Sequence, residues 1–237
     1  MGALHRGHLS LIERARQENH LVVVSIFVNP LQFGPQEDFQ QYPRDLAHDQ
    51  QLGEQAGVDV LFVPSVDALI PQSSALSLPS TQVVPPDAMT DVLCGHTRIG
   101  HFQGVATIVT KLFNLVQPRR AYFGQKDAQQ LAVLRRMADD LNLPVEILTC
   151  PTVREASGLA MSSRNQYLTV KQKQQAIALY RGLQRAAQAF HRGERTNLLL
   201  VQAVKAEVEK EPAITSEYVE LVHPVTLAPL AEIEDTG

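Results

Sequence analysis

Two histidines three residues apart, His5 and His8, stand with Gly7 between them where a helix reads as beginning. Glycine lets a backbone approach a ligand closely. A helix N-terminus offers unpaired N–H groups and a partial positive charge. Two imidazoles add donors for the charge that builds up during phosphoryl or nucleotidyl transfer. The run Met1-Gly2-Ala3-Leu4-His5-Arg6-Gly7-His8 therefore reads as a phosphate cradle. Alone it is a modest signal, since two polar residues near a chain end can be ordinary surface.

Three further clusters could share that work. Gly124-Gln125-Lys126-Asp127 follows a short apolar run and opens a helix, which is where ligands of open α/β sheets bind. Lys126 there can neutralise phosphate as a point charge, and Asp127 can cap the helix. Gln130 is placed to donate to and accept from a hydroxy acid, whereas Gln129 reads as solvated helix face. Met161-Ser162-Ser163-Arg164 gathers two hydroxyls, a guanidinium and local amides into a compact anion binder. A plain cap would sit too early there, because the next helix reads as starting near Thr169. Asn29 and Gln32 are uncharged amides just past a buried strand, where a polar substrate would lie. Asp49 is a candidate metal-associated carboxylate. His96 and His101 flank Arg98 and read as loop residues, and His20, His48, His191 and His223 as structural or solvated.

The elements that must hold these residues alternate. Helical spacing covers 9–19, 44–56, 102–116 and 126–141; β-rich runs cover 21–28, 58–63, 120–123 and 145–148. The nearly unbroken apolar run at 21–28 suits a strand covered on both faces. This rhythm predicts an α/β, Rossmann-like parallel sheet with helices on both faces. Residues 64–101, with five prolines, read as an irregular excursion. After residue 154 a smaller C-terminal α+β domain is expected. It holds helices at 171–192 and 196–210 and strands at 216–222 and 225–230. The first of those helices carries Ala176, Leu179, Leu183, Ala186 and Phe190 along one side.

A chain of 237 residues, 44% hydrophobic, suits one large domain or two modest ones. A net charge of -4 argues against nucleic acid as the main partner. Cys94 and Cys150 are far apart, so neither a disulfide framework nor a zinc site is expected. With no bilayer-length apolar run and no signal peptide in view, a cytoplasmic protein is expected.

Taken together, the segments at 1–8, 25–33, 42–44, 100–107, 123–131 and 161–165 resemble the pantothenate synthetase (pantoate–β-alanine ligase) family over nearly the whole chain. The His-x-Gly-His turn alone would point only to the wider nucleotidyltransferase superfamily. The Asn-Pro-Leu-Gln-Phe and Gly-Gln-Lys-Asp-Ala-Gln-Gln runs narrow it. The resemblance implies that pantoate attacks the α-phosphate of Mg2+-bound ATP, giving pantoyl adenylate and pyrophosphate, and that β-alanine then displaces AMP. It places ATP against Met1 to His8, Gly124, Gln125, Lys126, Asp127, Val153, Met161, Ser162, Ser163 and Arg164. It places pantoate against Gln32 and Gln130, with Asn29 in support, and β-alanine against Gln32. His8, His5 and Lys126 carry the catalysis, the histidines as transition-state hydrogen-bond donors. No protein ligand set is assigned to the metal.

The resemblance also implies a homodimer and a second domain, 155–237, closing over the ATP site that residues 1–154 build. Some members carry a nucleotide-kinase module beyond the end of this chain. Three departures stand out. The family's first strand, before Met1, is expected to be absent, leaving one side of the ATP pocket open. Cys94 to Ile99 replace a Glu-Gly-x-x-Arg-Pro run, and Ser157 stands where aspartate is common. Two other readings compete: an adenylyltransferase that stops at the adenylate, and a truncated binding or dimerisation module without activity.

Overall fold

The computed structural model describes residues 1–71 and 80–234. Helix α1 (Arg6–Glu18) begins within the histidine turn, three residues before the helical range expected at 9–19, with His5 as its extended N-cap. Strand β1 (Val23–Ser25) lies parallel to β2 (Val60–Phe62) in the register Val23 to Val60, and helix α2 (Leu46–Gln55) makes the crossover between them. Strand β3 (Arg120–Gly124) pairs in parallel with β4 (Glu146–Cys150). Between them, the turn Gln125–Asp127 leads into a further helix, Ala128–Asp140. The fold is thus mixed α/β with parallel strands, as the alternation of apolar runs predicts.

Among the described residues these strands form two parallel pairs. A cavity of about 880 Å3 is lined by β1 on one side and β3 on the other. One core cluster joins Leu4, Ile12 and Ala15 to Val22, Val24 and Ile26, so α1 packs on the first strand pair. The ladder of β1 is shorter than the apolar run at 21–28. Its extended backbone continues, with Ile26 donating to Phe62 and Phe27 to Met1.

The excursion at 64–101 is not wholly irregular. It contains the short helices α3 (Val66–Leu69) and α4 (Asp87–Thr90) and a 3-10 turn at Leu93–His96. Helix α5 (His101–Val116) follows. With the helix after β3, now α6, it buries Val105, Ala106, Phe113, Leu134 and Met137.

Helix α7 (Val170–His191) opens with a capping box between Thr169 and Gln172. It packs along α8 (Asn197–Val208), but not through the larger residues of its expected stripe. The buried positions are Ala178 and Gly182, while Leu179 and Leu183 stay about half exposed. Small residues win because α8 approaches closely: a Cβ on Gly182 would stand 3.0 Å from the Val204 backbone oxygen. Glu207 on α8 is buried and paired with Lys210 (2.6 Å), Arg185 (2.8 Å) and Arg181 (3.0 Å). The Lys210 ammonium first, then both guanidiniums, hold its carboxyl down to about 2. This tie between α7 and α8 is complete above the ordinary carboxylate range and is lost as pH falls toward 2.

The strands expected at 216–222 and 225–230 do not form. Only isolated antiparallel bridges, Val222 with Pro229 and Thr196 with Glu232, are found there among the described residues. Pro224 and Pro229 lack the N–H that a ladder needs, and Leu227 turns the chain with a positive φ of 60°.

Candidate active site

The first helical turn stacks its two imidazoles, with ring centroids 4.0 Å apart and planes at 23°. Nδ1 of His5 accepts the Gly7 N–H at 3.1 Å, which caps the helix. A Cβ on Gly7 would sit 2.9 Å from the His5 ring and 3.4 Å from Met161 Cβ, so glycine is needed for this closeness. Burial lowers the His5 pKa, and the Lys126 charge lowers it further. Burial, with His5 and Lys126 adding to it, pushes His8 down to about 3. Both rings are neutral at neutral pH, and Lys126 acts on them from the far strand pair. His8 Nδ1 is buried with no hydrogen-bond partner.

The peptide leading into this turn is fixed by Asp49, which is 1% exposed. Its two carboxylate oxygens accept the N–H groups of Ala3 (2.9 Å) and Leu4 (2.5 Å). Asp49, a candidate metal-associated carboxylate by sequence, therefore serves here as a backbone clamp, with both oxygens engaged by main-chain N–H groups. Among the described residues no group of three or more His, Cys, Asp or Glu is placed to hold a metal ion.

Past β1, Asn29 caps the 3-10 turn Pro30–Gln32 through the Leu31 N–H (3.0 Å). Its amide donates to Gly104 O (3.0 Å) and to Gln32 Oε1 (3.2 Å). Asn29 thus holds Gln32 while both line the cavity. Gly104 on α5 lets that turn approach, since a Cβ there would lie 2.2 Å from Leu31 O. Gly104→Ala should therefore cost about 1–3 kcal/mol in chemical denaturation. An unchanged midpoint would show that the close approach is not made.

Gly124 at the end of β3, with Asp127 and Gln130 beyond it, lines the same cavity as Met1, His8, Asn29 and Gln32. Asp127 makes no capping hydrogen bond; it pairs with Lys126 Nζ at 3.3 Å, and both are exposed. Gln129 is buried, contrary to the solvated face expected for it. Its amide donates to Met89 O (3.0 Å) and Val92 O (2.7 Å), tying α6 to α4 and the segment just after it.

The 153–167 loop crosses back to the first turn. Met161 N–H donates to Val153 O at 2.9 Å. Ser162 caps a 3-10 turn at Ser163–Tyr167, so a cap exists where the sequence places none. Ser163 is buried and donates to Ala3 O at 3.2 Å. Arg164 makes a two-pronged pair with Asp38 (2.9 and 2.7 Å) and lies over the Phe33 and Tyr42 rings. Asp38 sits in a loop with no periodic signal, and its residue type and spacing do not single it out. His101, expected in a loop, is instead buried at the start of α5, while His96 is exposed.

A family model described as pantoate-beta-alanine ligase matches residues 1–236. A "bifunctional pantoate ligase/cytidylate kinase" of Trichormus variabilis is 63% identical over 238 residues, covering 100% of this chain and 45% of that protein. One of Thermosynechococcus vestitus is 57% identical, covering 100% and 46%. The chain thus spans about half the length of the curated relatives it matches. A pantothenate synthetase structure from Thermus thermophilus superposes with a TM-score of 0.94 at 49% identity, over 99% of this chain and 83% of that one. A pantoate-beta-alanine ligase from Francisella tularensis, complexed with beta-gamma ATP and beta-alanine, gives 0.72 at 36% identity, over 87% and 75%.

Proposed function

The chain belongs to the pantoate–β-alanine ligase family, and from that premise we propose that it condenses pantoate with β-alanine to pantothenate, consuming ATP. The observation that carries this reading is one cavity shared by His8, Gln32 and Gln130, drawn from three separate segments. The ligands named for the Francisella relative, a nucleotide and β-alanine, support the choice of substrates.

In the first step a pantoate carboxylate oxygen bonds to the α-phosphorus of ATP, and the bond to pyrophosphate breaks. In the second the β-alanine nitrogen bonds to the acyl carbon, AMP leaves, and the amine gives up a proton. Neither step needs a covalent bond to the enzyme, so the site's work is placement and charge stabilisation. Neutral His8 and His5 donate hydrogen bonds to the phosphate, and Lys126 adds a positive charge. Gln32 and Gln130 hold pantoate, and Gln32 also meets β-alanine. Ser162, Ser163 and Arg164, with Val153 and the Met1–Leu4 peptide, enclose ATP. Arg164 exchanges Asp38 for phosphate in doing so. Magnesium, which takes oxygen ligands, would supply further charge neutralisation at the phosphate; of the groups named here only the hydroxyl, amide and main-chain oxygens would suit it, and the cationic groups would not hold it.

Residues 1–154 form the Rossmann-like, substrate-binding part in this reading, and 155–237 close over the nucleotide. The working form is a cytoplasmic homodimer, which light scattering would test. Among the described residues no helix is long and apolar enough to cross a membrane.

Isotope exchange tests the reaction. Pantoate-dependent exchange of pyrophosphate into ATP is expected, with AMP released only when β-alanine is added. Exchange with no AMP released even after β-alanine is added would favour an adenylyltransferase that stops at the adenylate, and ATP binding without turnover a binding module. Lys126→Ala should weaken ATP binding by about 10- to 100-fold, the worth of a hydrogen bond to a charged group. ATP titration of the variant checks it, and unchanged affinity would remove Lys126 from the phosphate site.

A further inference from the structure

His101 is buried at 7% exposure, and its ring has two partners. Nδ1 lies 2.7 Å from the main-chain oxygen of Gln32, and Nε2 lies 3.1 Å from Arg98 Nη1. A guanidinium only donates, so Nε2 must accept. A ring that accepts at Nε2 and contacts a carbonyl at Nδ1 carries its proton on Nδ1. Burial, which lowers the pKa of this imidazole, favours the same neutral form. Arg98 is itself fixed by Glu37, with Nε at 2.7 Å and Nη2 at 3.0 Å from the two carboxylate oxygens. The hydrogen bonds Arg98 to Glu37, Arg98 to His101 and His101 to Gln32 therefore have one consistent polarity.

None of Glu37, Arg98 or His101 lines the cavity, whereas Gln32 does. The Gln32 turn is thus gripped at two points. Asn29 holds the side-chain oxygen, and His101 holds the main-chain oxygen.

We propose that His101 is a positioning residue that sets the Gln32 turn for the hydroxy-acid substrate, and that Arg98, locked by Glu37, selects the ring tautomer that makes this grip. The proposal rests on the reading of Gln32 as a pantoate-binding amide. His101 touches no reacting atom; it acts through the placement of Gln32, where small displacements are costly.

The test uses the full chain with ATP, pantoate and β-alanine. His101→Phe should raise the pantoate KM by about 10- to 100-fold, with the ATP KM unchanged. His101→Asn, whose amide can donate near the Nδ1 position, should recover most of that loss. Nitrogen NMR of the ring should show a single Nδ1–H tautomer in the parent and a mixture in Arg98→Met, with the pantoate KM rising alongside. The Arg98→Met measurements decide the matter if His101→Phe does not fold. An unchanged pantoate KM, equal losses for pantoate and ATP, or an Nε2–H ring in the parent would overturn the proposal. If the parent itself shows no pantoate-dependent exchange, the reading of the site falls and this proposal with it. Normal parental turnover beside an indifferent His101→Phe overturns this proposal alone.

Discussion

His8→Ala should slow adenylate formation by at least ~100-fold, the usual loss when one donor to a developing oxyanion is removed. The expectation follows from where the ring sits. His8 is mostly buried, stacked on His5, and held neutral with its pKa lowered to about 3. A neutral imidazole keeps one N–H to donate and has no ionic hydration shell to lose when substrate arrives. At a mostly buried position that donor is worth more than it would be in solution. The effect should fall on the rate of pyrophosphate release in single turnover, more than on ATP affinity, because phosphate charge on the reacting oxygens is greatest in the transition state. An adenylation rate equal to the parent's would remove His8 from the chemistry.

The same depressed pKa fixes a pH signature. In the unfolded chain His8 takes a proton near 6.5, while in the folded chain it refuses one until about 3. Well above pH 6.5 neither state holds the proton and His8 contributes no pH dependence. Between those two values the unfolded state binds the extra proton, so stability falls as pH falls. His8→Ala should therefore lose less stability than its parent over that window, even though its activity is crippled. Denaturant melts at about pH 7 and about pH 5, on either side of the free histidine value, would separate these two effects of one ring.

The order of elements around the site was legible because it is written in local pattern. Alternating apolar runs announce β1 to β4, and Gly7 between two histidines announces the cap of α1. What sequence pattern does not carry is the partner of a polar residue distant in the chain. Asp49 reads as a candidate metal-associated carboxylate until α2 is seen to lie beneath Ala3 and Leu4, 45 positions or more away. Gln129 reads as solvated because its helix face is covered by the one-turn helix α4 and the segment after it, too short to show a periodicity of their own. His101 is hidden by a similar gap: the break at 64–101 masks the start of α5. The stripe of α7 is misread for a different reason. Close helix packing selects small residues such as Ala178 and Gly182, and large apolar spacing points away from them. Arg164 is marked as an anion binder by its neighbours Ser162 and Ser163, but its resting partner Asp38 lies in a loop that carries no signal.

Asp49→Ala should be the most damaging substitution outside the cavity itself. Both N–H groups that the carboxylate accepts are buried, and each would lose its partner. A buried donor left unsatisfied costs about 1–3 kcal/mol, so the pair costs on the order of 2–6 kcal/mol, much of the whole stability of a typical domain. Ala3 makes the loss worse. Its φ of 48° is a left-handed conformation that costs an L-residue about 1–2 kcal/mol. That strain is tolerated because Asp49 grips Ala3 N–H on one side and Ser163 grips Ala3 O on the other. Release of one grip lets the peptide relax, and the next residues are His5 and the cradle it caps. Nucleotide binding should then suffer together with stability. Thermal unfolding with and without ATP checks both at once: Asp49→Ala should melt lower and gain less from ATP than the parent. Asp49→Asn, which keeps one accepting oxygen of the right shape, should fall between them. A variant Asp49→Ala that melts and binds as the parent does would show that the first turn holds its conformation unaided.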